Sequence, residues 1–310
     1  MTTTVTRKQA YPTWEARFAG AVHFDLMAAD ITSMGVGGRV DMTLYPGSLE
    51  DLSAMIRLLN VQDIPHTIVG NRTNLIILAK GYRGALICTK RLDHLEILRI
   101  TGTSIQIRGE AGVLLSDLVA LSARENWTGF EFCAGIPGSI GGAVRMNAGA
   151  FGHSISEVVQ AVTLMDKQGD LTSMERDKLH FDYRNFHLPE EMMIVETRLQ
   201  LQCDPKKQVA EKVNKIIEDR KAKHPQQHKN AGSIFKNPDG IPAGQIIESA
   251  GLKGLTIGDA MVSEKHANFI INRGHATADD ILTLIRHVQQ QVHEKMNVSL
   301  ELEVKLLGED

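Results

Sequence analysis

Apolar and polar positions along the chain fall into two rhythms. From Ser48 to Leu59 the apolar residues Leu49, Leu52, Met55, Ile56 and Leu59 recur on one helical face. Ser48 is the expected N-cap, and Asp51 is expected to close a capping box. Shorter runs at 66–69, 75–78 and 85–89 have the composition of strands, and 96–100 with 104–108 predict a hairpin around Gly102. A helix is expected over 114–126, with Gly129 ending its last turn. Strands are expected again at 158–165 and 171–174, with a turn at Gln168-Gly169 between them. The alternation of Met193, Val195, Thr197, Leu199 and Leu201 marks a half-buried strand.

The character changes at Asp204-Pro205, where Asp204 reads as an N-cap and Pro205 as a first helical residue. Val209, Val213, Ile216 and Ile217 carry that helix to His224-Pro225. Beyond it the pattern predicts a polar loop (226–238), a helix over 243–250 ended by Gly251, and a strand over 267–271. A helix over 277–294 and a last strand over 298–306 follow. Residues 1–30 read as an irregular arm. The fold class is α+β, divided into the arm (1–30), a first domain (31–203, halves near 31–92 and 93–203) and a smaller α/β domain (204–310).

The 310 residues suit two or three domains. With 43% hydrophobic and 23% charged residues and a net charge of −3, the chain is globular and has no basic field for nucleic acid. No apolar run is long enough for a membrane span. The polar, Thr-rich start lacks a signal-peptide core, so a cytoplasmic protein is expected. Cys88, Cys133 and Cys203 fit neither a disulfide framework nor a zinc pattern, and no metal is expected.

The common nucleotide motifs are missing: there is no P-loop, and Gly35-Val-Gly37-Gly38 lacks the third glycine of the dinucleotide fingerprint. Three other segments carry chemistry. Gly70-Asn71-Arg72-Thr73-Asn74 lies between two strands and reads either as a plain turn or as a nest of amides for an anion. Gly135-Ile136-Pro137-Gly138-Ser139-Ile140-Gly141-Gly142, continued by Asn147 and Gly149, lets a backbone approach a cofactor closely. Ser233 follows Gly232 and precedes Lys236 and Asn237. No G-x-S-x-G elbow surrounds it, so a proton donor fits as well as a nucleophile.

These segments, with Phe181-Asp182-Tyr183-Arg184, Ser263-Glu-Lys-His-Ala-Asn-Phe269 and Leu302-Glu-Val304, resemble the UDP-N-acetylenolpyruvoylglucosamine reductase family in the family's order. The resemblance covers roughly nine tenths of the chain. It implies a two-subdomain FAD-binding unit of the vanillyl-alcohol-oxidase type and then a substrate domain. The implied reaction is NADPH-dependent, FAD-mediated reduction of UDP-N-acetylglucosamine-enolpyruvate to UDP-N-acetylmuramate, for peptidoglycan synthesis and so cell shape and division. The short stretch between Asp239 and Val262 resembles the subclass without a substrate-clamping insertion. A flavin oxidase of the same superfamily and a non-catalytic paralogue that binds a UDP-sugar or flavin are the alternatives.

By the same resemblance, Ser233 is the proton donor, Arg184 holds the substrate carboxylate and Glu303 completes that site. Glu301 is the alternative to Glu303, because strand alternation points both the same way. FAD contacts are expected from Gly70, Asn71, Arg72, Thr73, Asn74, Gly135, Ile136, Pro137, Gly138, Ser139, Gly141, Gly142, Asn147 and Gly149. Tyr183, Lys236, Asn237 and His266 are expected at the UDP-sugar or nicotinamide, with Asn268 a weaker candidate. Arg72 stands where the family usually has glycine. If that position needs φ above zero, arginine is strained by about 1 kcal/mol, and its charge at the pyrophosphate is expected to offset this. The protein is expected to act as a monomer.

Overall fold

The structure, a computed structural model, describes residues 14–189 and 191–309. The chain forms two compact units. One comprises the residues up to Phe24, with 42–71 and 84–218; the other comprises 25–41, 72–83 and 219–310.

The first unit has two separate cores. In one, the helix Leu49–Val61 lays Leu52, Met55, Ile56 and Leu59 against Met42, Leu44, Ala85 and Ile87, and Trp14 and Phe18 pack on the same cluster. Burying each such side chain stabilises by roughly 1.5–3 kcal/mol. The sheet beside this helix has the order Ala21–Met27, Arg39–Tyr45, Tyr82–Cys88, His66–Val69, and its last pair is parallel. The other core lies on an antiparallel sheet ordered Leu171–Glu175, Val159–Met165, Met193–Cys203, Ser104–Glu110, Leu95–Thr101. Its register sets Ile107 opposite Leu199 and Ile105 opposite Leu201, so their apolar side chains share the face covered by the helix Leu115–Glu125.

The second unit is built on the antiparallel strands Lys229–Ser233, Phe269–Asn272, Ala260–Val262 and Thr256–Ile257. The helix Ala278–Met296 buries Ile281, Leu284, Ile285, Val288 and Val292 with Ile246 and Ile247 of the helix Ala243–Ser249. Thr277 and Asp280 form a capping box at its start. Lys305–Leu307 pairs in parallel with Leu75–Ile77 within this unit.

Several elements differ from the sequence expectation. The arm contains the helix Trp14–Arg17 and the strand Ala21–Met27; residues 1–13 lie outside the described residues. Ser48 caps as expected, accepting from the Asp51 N–H at 3.2 Å. The Asp51 carboxylate does not close a box; it accepts from the backbone of Ala19 (3.2 Å), Gly20 (2.8 Å) and Gly47 (2.9 Å). Two amides brought in from 31 and 32 positions away, joined by the nearby Gly47 N–H, outcompete the Ser48 N–H. The helix over 115–125 ends at Asn126, which takes the left-handed conformation (φ 55°) that Gly129 was expected to supply. Asp204 caps a turn, accepting from Lys206 and Gln208 at 3.0 Å, and the helix itself starts at Val209. The first unit runs on to Glu218, past residue 204, because Val209 and Val213 join its larger core. The polar loop contains the strand Lys229–Ser233, and the final strand is only Lys305–Leu307, preceded by an isolated bridge between Leu302 and Phe235.

Candidate active site

In the first unit, the loop at Gly70 and the turn at Ser139 approach each other closely. A Cβ on Gly70 would stand 2.5 Å from the Ser139 hydroxyl oxygen, so any other residue would have to push that hydroxyl aside. Ser139 is buried and caps the short helix Ile140–Arg145, accepting from the Gly142 N–H at 3.5 Å. The turn is pinned to its surroundings. The Ile140 N–H donates to Val113 O, the Gly141 N–H to Ala111 O, the Ile136 N–H to Cys133 O, and Gly138 O accepts from Leu115 N–H. Gly70, Asn71 and the run from Gly135 to Gly142 carry no acidic side chain, and with the Ile136, Ile140, Gly141 and Gly142 amides already donating within the protein, the run offers close backbone approach rather than a nest of free amides.

The hairpin of Phe181–Asp182 and Asn185–Phe186 carries Tyr183 and Arg184 at its tip. Arg184 has φ 56°, its Nη2 donates to Gly149 O at 3.0 Å, and its guanidinium lies 5.0 Å from the Tyr183 ring centre. Gly149 and Arg184 thus meet. Asn147, expected at the cofactor, is buried and donates from Nδ2 to Asp182 O at 2.9 Å.

In the second unit, Ser233 ends its strand opposite Phe269, just after Gly232 at φ 78°. Its neighbours are fixed by Asn268. The Ile234 N–H donates to Asn268 O (2.9 Å), the Phe235 N–H to Oδ1 (3.0 Å), and Nδ2 donates to Phe235 O (2.8 Å). The C-terminal segment runs alongside. The Glu303 N–H donates to Ile234 O and the Lys236 N–H to Glu301 O, each at 2.8 Å. Asn74 Nδ2 donates to Glu303 O at 3.1 Å, so the first loop holds the segment bearing Glu303.

Glu301 and Glu303 are not equivalent, because the segment is not a regular strand there. Glu301 is exposed and paired with Lys236 Nζ at 2.5 Å, whereas Glu303 is half-buried. Asn237 accepts from the Ala243 N–H at 2.9 Å and so caps the following helix. His266 accepts from the Asn268 N–H at 3.2 Å and packs edge-on to His224 and Phe269. Burial lowers the pKa of His266, and burial with the nearby Arg220 charge lowers that of His224 to about 4. Arg72 has φ 54°, the left-handed conformation that its glycine-like position implies. Its Nε donates to Ile31 O at 2.6 Å, 41 positions away. The Ser33 hydroxyl donates toward Arg72 O and Thr73 O at 3.4 Å.

Arg145, in the first unit, was not singled out by the sequence: it reaches the hairpin through Asn185 and Phe186, 40 and 41 positions away. In the second unit Asn268, a weaker candidate from the sequence, organises the Ser233 loop.

A family model described as an FAD binding domain matches residues 40–175. One described as the C-terminal domain of UDP-N-acetylenolpyruvoylglucosamine reductase matches residues 224–307. A protein of that name from Syntrophus aciditrophicus is 44% identical over 292 residues, 94% of each chain. This chain belongs to the UDP-N-acetylenolpyruvoylglucosamine reductase family. Another member, from Carboxydothermus hydrogenoformans, is 42% identical over 282 residues, covering 91% of this chain and 92% of its own. The crystal structure of the reductase from Thermus caldophilus aligns with a TM-score of 0.80 at 32% identity, covering 93% of this chain and all of that one. The FAD-binding part of this family member therefore includes both the Gly70 loop and the Ser139 turn.

Proposed function

We propose that this chain reduces UDP-N-acetylenolpyruvoylglucosamine to UDP-N-acetylmuramate in peptidoglycan synthesis, with FAD as cofactor and NADPH as reductant, and that Ser233, Arg184 and Glu303 carry the chemistry at the substrate. The observation behind the activity is the 44% identity along 94% of a reductase chain. FAD, when bound and reduced by NADPH, would supply the hydride that adds to the terminal enolpyruvyl carbon. Charge then develops on the neighbouring carbon and its carboxylate. The Arg184 guanidinium receives that carboxylate through its fork of N–H donors. The Ser233 hydroxyl gives its proton to the neighbouring carbon, completing addition of one hydride and one proton across the double bond. Glu303 completes the carboxylate site by orienting its donors.

Support for these roles lies in how the residues are held. Ser233 lies in a loop fixed by three bonds to Asn268, and Glu303 is half-buried on a segment tied to Ile234 and Asn74. Gly70, Asn71, Gly135 to Gly142 and Gly149 would hold the FAD pyrophosphate side, and Tyr183 and Lys236 the UDP-sugar or nicotinamide. The protein is read as a cytoplasmic monomer that binds neither nucleic acid nor membrane. Among the described residues no helix is long and apolar enough to cross a membrane.

The test is spectroscopic. Purified protein should show flavin absorbance that NADPH bleaches and the enolpyruvyl substrate restores, with UDP-N-acetylmuramate as product. Protein that binds no FAD, or whose bleached absorbance the substrate leaves unchanged, would overturn the assignment.

A further inference from the structure

The hairpin that carries Arg184 is stacked at its base and bonded near its tip to the segment 145–149. Phe181 and Phe186 stack at 4.7 Å, with Phe186 fully buried. Only Tyr183, half exposed, and Arg184, at φ 56°, make the turn. A non-glycine residue in the left-handed region is held there by its surroundings. Those surroundings are the segment that leaves the glycine-rich turn. Arg145 Nη1 donates to both Asn185 Oδ1 and Phe186 O at 3.1 Å. Asn147 donates to Asp182 O, and Gly149 O accepts from Arg184 itself. Asp182, Arg184, Asn185 and Phe186 therefore each have a partner from 145–149.

We infer that Arg145 is a positioning residue for the substrate carboxylate: through Asn185 and Phe186 it fixes the turn from which Arg184 reaches. The inference rests on the reading of Arg184 as the carboxylate holder. A guanidinium fork recognises a carboxylate only in a narrow range of orientations, and a misplacement of 1 Å costs about 10²-fold in rate. Arg145 lies at the end of the helix Ile140–Arg145, which Ser139 caps, so one short helix serves the cradle at one end and the arginine hairpin at the other. The side chain is exposed, and its removal leaves the buried stack of Phe181 and Phe186 in place.

The test compares Arg145→Ala, Arg145→Lys and Arg184→Lys in the FAD-loaded enzyme, with the two half-reactions followed separately by stopped-flow flavin absorbance. Arg145→Ala should keep its FAD content and its rate of bleaching by NADPH within about twofold. Recovery of absorbance with the enolpyruvyl substrate should slow by about tenfold or more, with KM for that substrate raised and KM for NADPH unchanged. Arg145→Lys, which still reaches one acceptor, should recover part of the loss. Combined with Arg184→Lys, the loss should be smaller than the two single losses together, because both variants disturb one contact. Parent-like recovery in Arg145→Ala beside an impaired Arg184→Lys overturns the positioning role alone. A parent-like Arg184→Lys overturns the carboxylate reading, and the positioning inference with it. Equal slowing of both half-reactions in Arg145→Ala also overturns it, since a general structural role would act on both.

Discussion

Asn268 and Phe235 exchange two hydrogen bonds: the Phe235 N–H donates to Asn268 Oδ1 at 3.0 Å, and Asn268 Nδ2 donates to Phe235 O at 2.8 Å. Both residues are buried. The amide side chain thus acts as a piece of backbone, extending the sheet past Ser233 where the strand itself stops. Replacing it with alanine would leave a buried N–H and a buried C=O unsatisfied, at about 1–3 kcal/mol each. Asn268→Ala should lower thermal stability measurably and slow turnover, whereas a neighbouring exposed change, Glu264→Gln, should do neither. Unaltered melting of Asn268→Ala would show that the loop does not depend on this exchange.

Ser233→Ala should fold, bind FAD and bleach with NADPH at the parent rate. Its reaction with the enolpyruvyl substrate should fall by about 10²- to 10⁴-fold, the usual worth of a positioned proton donor. Cysteine at the same position should recover part of this, since a thiol also yields a proton. The measurement is the return of flavin absorbance in single turnover, and a parent-like rate for the alanine variant removes Ser233 as donor.

Glu303 and Glu301 should separate cleanly. Glu303→Gln should slow the substrate half-reaction by about tenfold or more, as loss of a group oriented in the transition state does. Glu301 is exposed and paired with Lys236, a contact of little energetic weight at the surface. Glu301→Gln should therefore stay within about threefold of the parent. Reversal of this order in kcat/KM would move the carboxylate site to Glu301.

Arg72→Gly removes a left-handed arginine and its bond to Ile31 O together. The relief of about 1 kcal/mol of strain and the loss of a bond worth about 1 kcal/mol nearly cancel, so melting should change little. FAD affinity should change by less than about tenfold, or 1.4 kcal/mol. Isothermal titration of the apoprotein with FAD checks this, and complete loss of binding would make Arg72 a required ligand.

His224 links stability to pH. Burial first, then Arg220, His266, Lys223 and Lys265 around it, lower its pKa from 6.5 to about 4 in the folded chain. A neutral ring in the native state means that the unfolded chain binds the extra proton. Stability from this site is complete above about pH 6.5 and is lost as pH falls toward 4. His224→Phe should retain more of its pH 7 melting temperature at pH 5 than the parent does. Proton uptake on unfolding near pH 5 should also fall by up to about one proton. Identical pH profiles for the two proteins would show that His224 does not titrate on unfolding.

What could be read from the sequence was what local repetition and motif order encode. The stripe from Leu49 to Leu59, the hairpin about Gly102, the alternation from Met193 to Leu201 and the long helix near the end of the chain all report one face buried against something, which period alone reveals. The motif order likewise identified the reductase family, because several short segments in sequence are jointly specific. The same information is silent on which partner each buried group meets. Asp51 was matched to its nearest N–H, but the fold offered it Ala19, Gly20 and Gly47. Strand alternation made Glu301 and Glu303 alike; the pairing of Leu302 with Phe235 and the hold of Asn74 on Glu303 set them apart. The sequence did not single out Arg145; only the fold sets it against the hairpin from 181 to 186. Periodicity is a property of neighbours in the chain, whereas a hydrogen bond across tens or hundreds of residues exists only once loop closure has brought its donor and acceptor together.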